Sequence, residues 1–158
     1  MSSLGHRTTL SLVVAVVAAA GACGDDPATP AFPADYAATY VEVRDCRASA
    51  DHDLNRVRVL ADPGAADAYL LRDRPFPTGS IILKEEFDFG DMDCTGDVVQ
   101  WTVMEQLPTG SAPDTLDWRW QKVTAAGKVA SEDDQRCIGC HDVCGVAPDG
   151  YLGTCAIP

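Results

Sequence analysis

Between residues 55 and 123 the chain runs through short alternations of apolar and polar positions, each bounded by turn-forming residues. Residues 55–60 set Val57 and Val59 against Arg56 and Arg58, the two-residue period of a half-buried strand, and Asp62-Pro63-Gly64 closes the run. The turn Phe76-Pro77-Thr78-Gly79 leads into residues 80–88, where Ile81, Ile82, Phe87 and their neighbours have strong strand propensity. A turn over 91–96 precedes a strand at 98–104, and Pro108-Thr109-Gly110 precedes one at 117–123 that projects Trp118 and Trp120 on one face. Residues 34–47 place Tyr36, Tyr40, Val43 and Arg47 at helical spacing and are read as a helix, although 40–43 would tolerate a strand; residues 65–71 suit a short helix or an extended segment. The pattern predicts a single antiparallel domain, mainly β with short helices and without internal repeats.

The N-terminus departs from this pattern. Residues 1–7 carry positive charge and 10–20 form an apolar run too short for a comfortable transmembrane helix, which reads as an export signal over 1–22. Ala20-Gly21-Ala22 ends at Cys23 and resembles a bacterial lipoprotein processing site, at which the cysteine is lipidated and becomes the mature N-terminus. Ala20 stands where such sites usually carry leucine, so plain cleavage and a retained anchor helix remain as the other readings. The expectation is an exported lipoprotein facing the periplasm or the cell exterior, held to a membrane by its lipid alone. Residues 23–35, with Pro27, Pro30 and Pro33, are read as a tether outside the core, leaving 36–158 as the folded domain. A net charge of −12 argues against nucleic acid and anionic membrane surfaces as partners, and suits either simple solubility or a cationic redox partner protein.

The cysteines bring in chemistry. Cys137-Ile138-Gly139-Cys140-His141 has the C-x-x-C-H spacing of covalent c-type haem attachment: two thiols add to the vinyl groups and the adjacent imidazole ligates the iron. A redox disulfide, or a zinc site that recruits Cys144, are the competing readings; export weakens both, and the zinc set would crowd neighbouring residues onto one ion. One haem c is expected. With Cys23 given to lipid and Cys137 and Cys140 to haem, Cys46, Cys94, Cys144 and Cys155 remain for two disulfides in an oxidising compartment. Of the three pairings, Cys144 with Cys155 and Cys46 with Cys94 are preferred, the second clamping the N-terminal helix to a hairpin turn.

The order of these parts carries a resemblance. Phe76-Pro77-x-Gly79 followed by Lys84-Glu85, a strand with Val103-Met104, then Trp118-x-Trp120 and Cys137-x-x-Cys140-His141, resembles the cytochrome P-460 family over about residues 55–141. The resemblance implies an antiparallel β-rich fold around one c-type haem, with a proximal histidine and a distal side that can stay open. Related members oxidise hydroxylamine or bind nitric oxide, and in the enzymes a lysine is also bonded to the haem. Lys84 aligns with that lysine. The four additional cysteines, the lipid anchor and the segment after Cys144 depart from the simpler family pattern.

Each remaining candidate has an ordinary alternative. Lys84 is a candidate nucleophile at the haem edge or a solvated lysine paired with Glu86. Glu85 shares its strand face with Ile81, Leu83 and Phe87, and is a candidate distal proton acceptor or a carboxylate at a wet edge. Met104 and His52 are candidate sixth iron ligands; the alternatives are a core methionine and an exposed turn histidine. Trp101, Trp118 and Trp120 are candidate walls of the haem pocket or plain aromatic core. No methionine or histidine follows His141, so a five-coordinate iron open to a small nitrogen oxide or hydroxylamine-like ligand is expected. The rival expectations are a six-coordinate electron carrier and a disulfide-stabilised binding module with no haem.

Overall fold

Each alternating run becomes a strand of one sheet. In the computed structural model, which describes residues 28–155, six strands follow one another in chain order as an antiparallel meander. They are β1 Val41–Ala48, β2 Arg56–Ala61, β3 Ile81–Phe87, β4 Gln100–Gln106, β5 Trp118–Thr124 and β6 Val129–Glu132. Three helices accompany them: α1 Tyr36–Thr39, α2 Ala66–Leu71 and α3 Gln135–Cys144.

Register sorts the side chains into two layers. Ala61, Ile82, Met104 and Trp120 are cross-strand partners in one row, and Val59, Lys84, Thr102 and Lys122 in the next. These rows face the front, where the first row and Val59 pack with Tyr69 of α2 and Ile138 of α3. Rows of opposite parity, Leu60–Leu83–Val103 and Arg58–Glu85–Trp101–Val123, face the reverse side. Leu83 and Val103 are fully buried there, each worth about 1.5–3 kcal/mol of transfer free energy.

Two expectations are corrected, and one strand goes beyond them. The helix read over 34–47 is only α1, one turn with no buried residue and no side-chain cap, after which Tyr40 is extended and β1 begins. The ladder with β2 wins because it pairs five of the eight residues of β1 with a neighbouring strand; two register shifts, between Glu42 and Arg44 and between Arg44 and Arg47, blur the alternation that would have announced it. The tether read to residue 35 ends sooner. Gln121 Oε1 accepts from Ala31 N at 2.9 Å, Gln121 Nε2 donates to Thr29 O at 3.0 Å, and Phe32 packs edge-on against Tyr36, so 29–32 cover the reverse face. Finally β6, Val-Ala-Ser-Glu, has too few apolar positions to signal a strand, yet pairs along β5.

Among the described residues no helix is long and apolar enough to cross a membrane. The export signal and the lipidation read at Cys23 lie outside the described residues.

Candidate functional site

A helix gives the C-x-x-C-H segment its geometry. Cys137, Cys140 and His141 occupy positions i, i+3 and i+4 of α3 and therefore share one face. The Asp134 side chain accepts from Arg136 N at 2.8 Å and caps the helix, and Ile138 anchors it in the front core. Both thiols are free of disulfides.

His141 is the best defined group in the site. Its Nδ1 lies 2.7 Å from the carbonyl oxygen of Gly153, so that nitrogen carries the proton and donates, which leaves the Nε2 lone pair free for a metal. The ring packs against Trp120 with centroids 4.7 Å apart. Burial, reinforced by the Lys84 charge, lowers its pKa to about 4, which keeps the imidazole neutral at physiological pH.

The same cavity, about 500 Å³, is lined by Cys137, Cys140 and His141 from α3 and by Lys84, Met104 and Trp120 from the sheet. That volume is in the range of cofactor pockets. Lys84 is therefore not a solvated strand lysine: burial brings its pKa down to about 8, against an opposing pull from Glu86. Its Nζ lies 2.5 Å from His52 Nε2, and His52 Nδ1 lies 3.1 Å from Glu86 Oε1. Glu86 Oε2 accepts from Asn55 at 3.0 Å and from Gln100 at 2.6 Å. Burial pushes Glu86 up, but its His52, Gln100 and Asn55 partners outweigh this and hold the carboxyl below the ordinary range. His52, expected exposed, has a side chain only 17% accessible and both ring nitrogens engaged. This leaves it no free nitrogen for iron. Met104 sits between Ile82 and Trp120, part of the front core and of the cavity wall at once.

Two sequence candidates fall elsewhere. Glu85 points to the reverse face, outside the cavity, because adjacent residues of a strand alternate sides. There it accepts from Tyr36 Oη at 2.7 Å and pairs with Arg58 at 2.6 Å, so it closes a buried polar knot and has no access to a distal ligand. Trp118 shares a face with Trp120 but lies deeper, against Phe76, with its Nε1 donating to Leu152 O, and does not line the cavity. Trp101 is on the reverse face beside Phe32 and Tyr36. The residues sequence reasoning missed are Glu86 and Gly153; the first was legible from strand parity had the haem side been known, and the second gave no signal.

Disulfides join Cys46 to Cys94 and Cys144 to Cys155. Cys46 stands on β1, not on a helix, and ties that strand to the turn between β3 and β4. His141, Cys144 and Cys155 converge within metal-ligand distance of one another, but the two sulfurs are bonded together, which removes them as thiolate ligands.

Residues 33–147 match the Cytochrome P460 family. The chain belongs to the cytochrome P460 family. Membership implies a haem cofactor, and the donor set fits one: two free thiols and a neutral, oriented imidazole on one helix face, opening into a cavity of cofactor size. No curated protein matches the chain. In this cytochrome P460 chain the front face of the sheet and α3 border the cavity, and the reverse face is covered by residues 29–40.

Proposed function

We propose that this cytochrome P460 protein binds one haem c through Cys137 and Cys140, with His141 as the proximal iron ligand, and receives a small nitrogen oxide or hydroxylamine-like ligand in the remaining cavity. The observation that carries this reading is the Nδ1 bond of His141 to Gly153, which frees Nε2 beside two unpaired thiols. Bound haem would supply a redox-active iron. The chain's own residues supply the surroundings. Trp120 and Ile82 keep one wall apolar, and Lys84 with His52 and Glu86 sets a linked proton donor and acceptor inside the cavity. Lys84 is also the residue whose amine could bond to the haem, as the family's enzymes do, in which case Lys84→Ala should return a shifted spectrum to that of an ordinary c-type haem.

Attachment is tested by expression with a cytochrome c maturation system: the wild type should carry covalent haem, and Cys137→Ser with Cys140→Ser should carry none. The iron should be five-coordinate and high-spin, with a spectrum that responds to nitric oxide. The second reading is an electron carrier, favoured by Met104 lining the same cavity. A low-spin spectrum that becomes high-spin in Met104→Ala would establish it. The export signal and Cys23 support a lipoprotein outside the cytoplasm, docking to a redox partner protein. Radiolabelled fatty acid should enter the wild type and not Cys23→Ser.

A further inference from the structure

The family match stops at residue 147, yet the imidazole at the centre of the site is held by a residue beyond it. After α3 the chain turns back so that Cys155 is bonded to Cys144. Within this closed loop Tyr151 N donates to Thr154 O at 2.8 Å and Thr154 N donates to Tyr151 O at 2.9 Å, and this small bridge holds the Gly153 carbonyl toward His141 Nδ1. The Cys155 sulfur itself lies 3.6 Å from that nitrogen.

The loop is fastened to the body at three points. Trp118 Nε1 donates to Leu152 O at 2.9 Å, Tyr151 Oη donates to Arg74 O at 2.8 Å, and Arg44 Nη1 donates to Cys155 O at 3.4 Å, while inside the loop Gly153 N donates to Gly145 O at 3.1 Å. Position 153 must be glycine on two counts: its φ is +79°, and a Cβ there would stand 2.7 Å from Trp118 Nε1.

An acceptor on Nδ1 fixes both the tautomer and the rotation of a ligating histidine, and it raises the electron density the ring gives to a metal. When the acceptor is a backbone carbonyl in a loop, the bond is only as fixed as the loop. We propose that the loop closed by Cys144–Cys155 is a clamp on His141. The Gly153 carbonyl is the positioning group, the disulfide holds it in place, and opening the disulfide changes the iron while Cys137, Cys140 and His141 all remain. This inference rests on the haem reading above.

The test compares wild type with Cys144→Ser/Cys155→Ser as holoproteins, using the iron–histidine stretch of the ferrous form by resonance Raman and the midpoint potential. Loss of the clamp should lower the stretching frequency and raise the potential, because a less electron-rich imidazole stabilises ferric iron less. Cys46→Ser/Cys94→Ser, which cuts the other link, should leave both readings at their wild-type values. Unchanged readings in Cys144→Ser/Cys155→Ser that retains covalent haem would overturn the clamp. Should that variant not accumulate, wild-type holoprotein reduced after assembly and alkylated at Cys144 and Cys155 must show the same shifts, and their absence overturns the proposal equally. If the wild type takes up no haem, the haem reading fails by itself. The clamp is then judged on the haem-free chain by ¹⁵N NMR: an Nδ1-protonated His141 that becomes a tautomer mixture in Cys144→Ser/Cys155→Ser upholds it, and an unaltered tautomer refutes it.

Discussion

Glu85 and Glu86 are neighbours in β3, both shut off from solvent, and they face opposite sides of the sheet. On the reverse side Glu85 is closed by Arg58 and Tyr36, and the aromatic segment from Phe32 to Tyr40 covers the strand. On the front side Glu86 is bound by His52, Asn55 and Gln100, and the wall it belongs to opens onto the cavity shared by Lys84 and the α3 cysteines. Buried charge on the reverse side is enclosed by packing, and on the front side it borders the cavity. The two-residue period of a strand is what separates the roles.

The comparison breaks if damage to the reverse side reaches the haem. Leu83→Ala, at a fully buried reverse-face position, should cost about 2–5 kcal/mol in denaturant unfolding while the visible spectrum of the folded holoprotein stays unchanged. A spectral shift would show that the faces are not independent. Glu85→Gln and Glu86→Gln should each cost about 1–3 kcal/mol, since each weakens acceptors of several buried donors. Only Glu86→Gln should alter the spectrum or the affinity for nitric oxide. The reverse outcome would put the cavity on the wrong face.

Titration sharpens the contrast. The Glu86 carboxyl is held below its ordinary value of 4.5, so its stabilisation is present above that value and is lost as pH falls through its lowered folded one. Glu86→Gln should flatten the acid limb of the stability curve. Lys84 is lowered from 10.5 to about 8, so the haem-free chain should gain stability as pH rises from about 8 toward 10.5, and Lys84→Met should abolish that rise. The smallest effect is expected for Tyr36→Phe, about 1 kcal/mol, from the lost bond to Glu85, with no spectral change.

Much of this arrangement is legible in the sequence. The strands from β2 to β5 follow from alternation and turn residues, and the i, i+3, i+4 spacing of Cys137, Cys140 and His141 already places two thiols and an imidazole together on one helix face. What was not legible has physical reasons. The spacing of Tyr36, Tyr40 and Val43 mimics a helix because β1 carries two register shifts, and strand pairing is a non-local gain that periodicity does not see. Strand parity sets Glu85 on the face of Ile81 and Leu83, but no sequence pattern says which face of a two-sided sheet borders the cavity. The aspartates that flank His52 suggest exposure, whereas the β1–β2 turn folds it over Lys84 and Glu86. The loop of Gly153 has no periodicity at all, and only its two cysteines hinted that it closes back on α3.

Covalent haem at Cys137 and Cys140 is tested by the intact mass of the denatured wild-type chain, produced with a cytochrome c maturation system. The chain should be heavier by one haem, with the added mass surviving acid-acetone extraction and mapping to the peptide that contains Cys137 and Cys140. A chain at its bare polypeptide mass, with all haem released into the organic phase, would contradict it.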